Sequence, residues 1–247
     1  MMIPAIRHLF THKGFHHTSR WVMSLALITL SLTLPFGLVY AFILSPEDYL
    51  QGQTVRIMYI HVPSAWLSLA LYTSMAVASG FFLITRLPMA THFATATSPV
   101  GAMFALIALV SGALWGKPTW GVYWVWDARL TSMLVLFFFY LAHIAISHAF
   151  LHSQQGQINS CILALTGTLT IPIIKWSVDW WNTLHQPASI SFFQASSTIN
   201  HAMLVPLAFM TIALTAYAVI MIILRMRLVM KQRILHNLQR QTIFQRP

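Results

Sequence analysis

Apolar residues in this chain fall in long unbroken runs, without the alternation of a half-buried strand or the polar stripe of a surface helix. Six runs stand out, near Trp21–Leu44, Val62–Ile84, Pro99–Leu114, Arg129–Ile146, Cys161–Ile174 and His201–Leu224. Runs of about 20 apolar residues cross a hydrocarbon core of about 30 Å. Backbone polar groups in lipid must pair within their own segment, so each run is expected to be a helix. A porin-like barrel is excluded, because its strands would alternate. The fifth run is the weakest: it is short, and Pro172 and Lys175 interrupt its outer end. The expected fold is an all-α integral membrane protein, a single membrane domain over residues 1–247 with six transmembrane helices and a basic tail at 225–247.

Composition agrees and charge adds direction. Of 247 residues, 57% are hydrophobic and 7% charged, against about 25% charged in a soluble domain. Sorted by alternating loops, one side takes Arg7, Lys13, Arg20, Arg86, Arg225, Arg227, Lys231, Arg233, Arg240 and Arg246. The other takes Arg56, Lys117, Arg129 and Lys175 together with every acid: Glu47, Asp48, Asp127 and Asp179. The excess of Lys and Arg places both termini in the cytoplasm. Outside then lie Ser45–His61, Trp115–Arg129 and Trp176–Asn200; the short inner connections are Thr85–Ser98 and roughly Ser147–Ser160. No cleavable pattern precedes the first span, which is expected to stay as an anchor. The net charge of +10 is accounted for by this topology and by attraction to anionic lipid, without nucleic acid. Cys161 is the only cysteine, so there is neither an intramolecular disulfide nor a Cys-x-x-Cys-His haem attachment site. There is no Gly-rich phosphate loop, so any ATP use would fall to another subunit.

The chemistry concentrates in one outer loop, 115–127: Trp-Gly-Lys-Pro-Thr-Trp-Gly-Val-Tyr-Trp-Val-Trp-Asp. Eight of the nine tryptophans, all but Trp21, lie on the outer side. An aromatic belt would put tryptophan at both membrane faces, and it does not require Trp115, Trp120, Trp124 and Trp126 to cluster. Such a surface, with Tyr123 among it, suits a large flat π-system. Asp127 stands just before span four, where it would serve as an N-cap; that does not exclude a part in the site.

Most of the twelve histidines are unremarkable. His8, His12, His16, His17, His92, His148, His152 and His236 are assigned to cytoplasmic tails and loops. His143, in the inner half of span four, is expected to be a neutral, hydrogen-bonded interior group, and His201 stays undecided. His61 and His185 flank the tryptophan loop from the two neighbouring outer segments. Pro63 suits the first turn of span two, which would leave His61 just outside the helix N-terminus. The helix dipole disfavours imidazolium there, and a neutral imidazole is the form that ligates metal. Two histidines without further ligands make a poor zinc site but suit the axial positions of haem iron. Arg56 and Arg129 could each grip a haem propionate through paired hydrogen bonds; each could equally snorkel to lipid headgroups.

The segment Trp115–Asp127, continued by Ala128-Arg129-Leu130-Thr131-Ser132, resembles the WWD signature of the haem-handling proteins of cytochrome c maturation. With six spans in about 250 residues, the chain is similar to the CcmC branch of that family. The resemblance implies haem held at the outer face of the bacterial inner membrane and loaded onto the haem chaperone CcmE, in a complex with CcmD and the ABC-type subunits CcmA and CcmB. It implies b-type, non-covalent, ferric haem with His61 and His185 as axial ligands. Trp115, Trp120, Tyr123, Trp124, Trp126 and Asp127 would contact the porphyrin, with Arg56 and Arg129 nearby. No catalytic constellation is expected. Two alternatives are a haem-dependent membrane oxidoreductase and passage of haem through this subunit's own helices. Against passage, the spans are expected to be largely unbroken apart from prolines such as Pro35 and Pro206.

Overall fold

The computed structural model describes residues 11–150, 153–181, 183–185, 190–191, 196–197 and 199–244. Arg7, His8, His152 and Arg246 lie outside them. Among the described residues seven helices run in order: α1 (His12–Val39), α2 (Met58–Thr85), α3 (Pro88–Trp120), α4 (Ala128–Ala149), α5 (Gln154–Gly167), α6 (Thr170–Trp180) and α7 (His201–Phe244). A π-helical turn, Tyr40–Leu44, ends α1, and a 3-10 turn, Gln53–Ile57, leads into α2. A minimal antiparallel pair, β1 (Ile190–Ser191) with β2 (Ser196–Ser197), precedes α7. Among the described residues six helical stretches are long and apolar enough to cross a membrane, with α5 and α6 together forming the fifth.

The helices run further than the apolar runs. The third run sits inside a helix of 33 residues, about 50 Å at 1.5 Å per residue. Residues Pro88–Ser98, expected as part of an inner loop, are the first turns of α3, entered through Pro at N1/N2, and His92 is a buried helical residue. At the other end Trp115–Trp120 are helical too. Residues 225–244, expected as a tail, continue α7 without a break. His61 lies inside α2, because the 3-10 turn from Gln53 starts the helical segment well before Pro63; the dipole argument for a neutral His61 therefore does not apply. The fifth span is discontinuous at Thr168-Leu169, contrary to the expectation of few broken helices. The break is filled: a Cβ on Gly167 would lie 1.9 Å from Tyr72 Oη and 2.8 Å from Phe139.

The core is laced with small residues because α2, α3 and α4 pack closely. Gly101 of α3 faces Tyr140 of α4, where a Cβ would fall 2.2 Å from the ring. Tyr140 Oη donates to the Ser68 carbonyl at 2.7 Å, and its ring meets Tyr72 edge-on at 4.9 Å. Small residues at such contacts let helix backbones approach in lipid, where burial of apolar side chains drives little. His143 is buried, yet neither ring nitrogen has a partner among the described residues, so it is not the hydrogen-bonded group expected.

Contacts sort the two ends of the bundle. Trp115 packs beside a cluster of Ala41, Val55, Met58, Tyr59, Met203, Leu207 and Met210, which gathers the end of α1 and the starts of α2 and α7. At the opposite end Arg227 donates to Ser19 at 2.9 Å, and Phe82, Ala90 and Cys161 pack together. One end is thus aromatic and the other basic.

Candidate haem site at the aromatic end

Two caps define the tryptophan segment. Gly121 ends α3 in the left-handed region (φ 80°), its N–H donating to the Lys117 carbonyl at 3.0 Å. Lys117 closes the turn from above: its Nζ donates to the Gly121 carbonyl at 2.9 Å and sits 5.3 Å from the Tyr123 ring centroid. Asp127 starts α4 as the expected N-cap, its Oδ1 accepting from the Leu130 N–H at 2.7 Å. Only the stretch between these caps is loop.

The four indoles do not form one flat plate. Trp115 donates from Nε1 to Gln51 at 2.8 Å and sets its ring edge against His61, centroids 5.7 Å apart at 75°. Trp120 meets His185 edge-on at 4.8 Å and 66°. Trp124 and Trp126 pair with each other at 5.5 Å and 79°. This last pair borders a groove of about 360 Å³ whose other walls are Leu106, Leu109, Leu134 and Phe137, all apolar. Trp126 is 75% exposed and Tyr123 56%. Two indoles therefore brace the two histidines, and two line the groove, Trp126 exposed and Trp124 half-buried against the core.

Each histidine is anchored through Nδ1. His61 Nδ1 stands 3.1 Å from Ser111 Oγ of α3. His185 Nδ1 stands 3.0 Å from Asp127 Oδ2, so the residue that caps α4 also holds the histidine. No hydrogen bond engages either Nε2 among the described residues. The rings lie within electrostatic reach of one another, and Arg129 is within reach of both. Burial pushes the His185 pKa below its usual 6.5, and Asp127 partly restores it. The arginines are tied to backbone: Arg56 donates to the carbonyls of Phe42 (2.5 Å) and Ser45 (2.9 Å), and Arg129 to those of Ile174 (3.2 Å) and Lys175 (3.5 Å). They tie down the turn that ends α1 and the middle of α6, and gripping a propionate would need donors beyond these bonds. Sequence reasoning missed Gln51, Ser111 and Gly112. The only signal for Ser111 was a polar residue inside an apolar run.

Fold and site define a polytopic membrane protein with a bis-histidine, indole-braced surface at one end. These residues fit a haem: two imidazoles with open Nε2 atoms, apolar aromatic walls, and no group of three or more His, Cys, Asp or Glu among the described residues to favour a bare metal ion. Comparison with known proteins narrows the class. The family model described as heme exporter protein C, CcmC, matches residues 6–241. The heme exporter protein C of Bradyrhizobium diazoefficiens is 44% identical over 219 residues, 89% of this chain and 81% of the relative. That of Escherichia coli strain K12 is 42% identical over 207 residues, 84% and 83% respectively. A ccmC-like mitochondrial protein of Marchantia polymorpha, named for cytochrome c biosynthesis, is 48% identical over 163 residues, 66% and 68%. The chain belongs to the heme exporter protein C family.

Proposed function

We propose that this chain handles haem for cytochrome c maturation by holding it at the aromatic end and presenting it to the chaperone CcmE, as one subunit of an ABC-type complex with CcmA, CcmB and CcmD. The aromatic end faces the periplasm and both termini face the cytoplasm of the bacterial inner membrane. The observation that carries this is the paired anchoring of His61 and His185: each ring is fixed through Nδ1 and flanked by an indole, and the two lie in electrostatic reach of each other.

Haem bound here supplies an iron that takes two nitrogen donors and a flat apolar face. The chain's own residues do the rest. Asp127 orients His185, and Trp115 and Trp120 restrict how far the rings turn. Trp124 and Trp126 offer apolar area, and each buried aromatic contributes on the order of 150–250 Å². A bis-imidazole site keeps both axial positions filled, which suits storage and transfer of ferric, non-covalently held haem. Handing the cargo on requires one axial bond to open, and ATP use by partner subunits could drive that opening.

The test is the absorption spectrum and pyridine haemochrome of haem purified with the full chain. His61→Ala or His185→Ala should alter or abolish the spectrum. Unchanged spectra in both variants would remove the axial-ligand reading. Trp120→Ala and Trp126→Ala should lower haem occupancy with membrane insertion intact.

A further inference from the structure

Ser111 sits on α3 directly before Gly112 and meets His61 of α2 across the helix pair. A serine hydroxyl has a single proton. Ser111 Oγ lies 2.5 Å from the Ile107 carbonyl of its own helix, with the Ala108 carbonyl at 3.4 Å, so that proton is committed to backbone. Toward His61 the oxygen is left as an acceptor. With the hydroxyl proton on the Ile107 carbonyl, the contact at 3.1 Å is met by a neutral ring that carries its proton on Nδ1. The lone pair then falls on Nε2. Gly112 makes room for this approach, since a Cβ there would lie 2.8 Å from His61 Cε1. Trp115 walls the ring edge-on.

We propose that Ser111 is a positioning residue for haem: it holds His61 in the Nδ1–H tautomer and so keeps Nε2 available as an axial donor. The inference rests on the haem site proposed above. It also makes the two donors unequal. A carboxylate behind an imidazole raises its basicity, and His185 has Asp127 where His61 has only a neutral hydroxyl.

The experiment needs no haem in its first arm. Histidine nitrogens of the haem-free full chain, 15N-labelled and in detergent, should report His61 as the Nδ1–H form. Ser111→Ala should give a mixture of tautomers, and Ser111→Thr, which keeps the hydroxyl, should restore the native signal. In the second arm the protein carries haem. Ser111→Ala should weaken haem retention by about tenfold, the low end of what outer-shell partners of a metal-bound histidine contribute, and should shift the reduction potential, with Ser111→Thr close to wild type. If His61→Ala disturbs the haem spectrum while Ser111→Ala keeps the native tautomer and retention, the role given to Ser111 is overturned. If His61→Ala leaves the spectrum unchanged, the haem site on which the inference rests is overturned instead.

Discussion

Asp127 carries two loads with one carboxylate: Oδ1 caps α4 and Oδ2 holds His185. Asp127→Ala should cost about 1 kcal/mol of stability for the lost cap and should loosen haem as well, because His185 would be free to turn. Parallel thermal unfolding and haem-retention measurements check both halves; a stability loss with native retention would show that the contact to His185 is idle. His185 also sets a pH dependence. Burial lowers its pKa below 6.5, Asp127 opposes that, and Arg129 adds to it. The folded protein thus binds this proton less readily than the unfolded chain. The stability tied to neutral His185 is full above the unfolded value of 6.5 and is lost as pH falls through the lowered folded value. The proton and the iron compete for the same imidazole. Haem ligation should therefore persist below pH 6.5 and fail only in more acid solution, as pH falls through the lowered folded value; loss of the two-histidine spectrum on the alkaline side of neutrality would contradict this. The capping role of Asp127 was legible because an acid directly before an apolar run is a local signal. Its grip on His185 was not, since 58 residues separate the pair.

Helices in this bundle are set by contact as much as by hydropathy. Gly101 and Gly167 lie where a methyl group would strike Tyr140 and Tyr72. Alanine at either position should destabilise the protein by about 1–3 kcal/mol through overpacking, whereas Gly80→Ala, whose Cβ would find its nearest atom at 3.8 Å, should be close to neutral. Unfolding in detergent with added denaturant would rank the three, and equal stabilities would refute the close-packing account. Span positions could be taken from hydropathy, because lipid demands apolar length. Span ends could not, because a helix that leaves the bilayer continues on backbone bonds and local caps. For that reason α3 reaches from Pro88 to Trp120, and Trp115 and Trp120 ride on its last turns. The start of α2 was misplaced for a related reason. Pro63 looks like a first-turn residue because a proline further inside a helix loses a hydrogen bond and crowds the carbonyl four residues back, but the turn from Gln53 had already begun the helix.

For the whole molecule, the separation of charge predicts which end faces out. Cys161 is buried, so the native chain is a silent background for thiol labelling. Tyr49 at the aromatic end is 90% exposed, and Leu235 near the basic end of α7 is 60% exposed. Tyr49→Cys should react with a membrane-impermeant maleimide in cells with an opened outer membrane. Leu235→Cys should react only after the inner membrane is breached. The reverse pattern would invert the proposed topology and place the haem surface in the cytoplasm.

From sequence alone come the all-helical membrane class, the six crossings, the aromatic end and the two flanking histidines. Each of these follows from what a residue prefers as a neighbour: lipid for long apolar runs, and anionic cytoplasmic lipid for arginine and lysine. Only the fold could show that the indoles divide, two bracing the imidazoles and two lining a groove, or that Arg56 and Arg129 bind backbone carbonyls. The break in the fifth span and the serine behind His61 belong with these. They depend on which side chains meet across helices, and that is fixed by glycine-sized gaps and hydrogen-bond geometry between residues far apart in the chain.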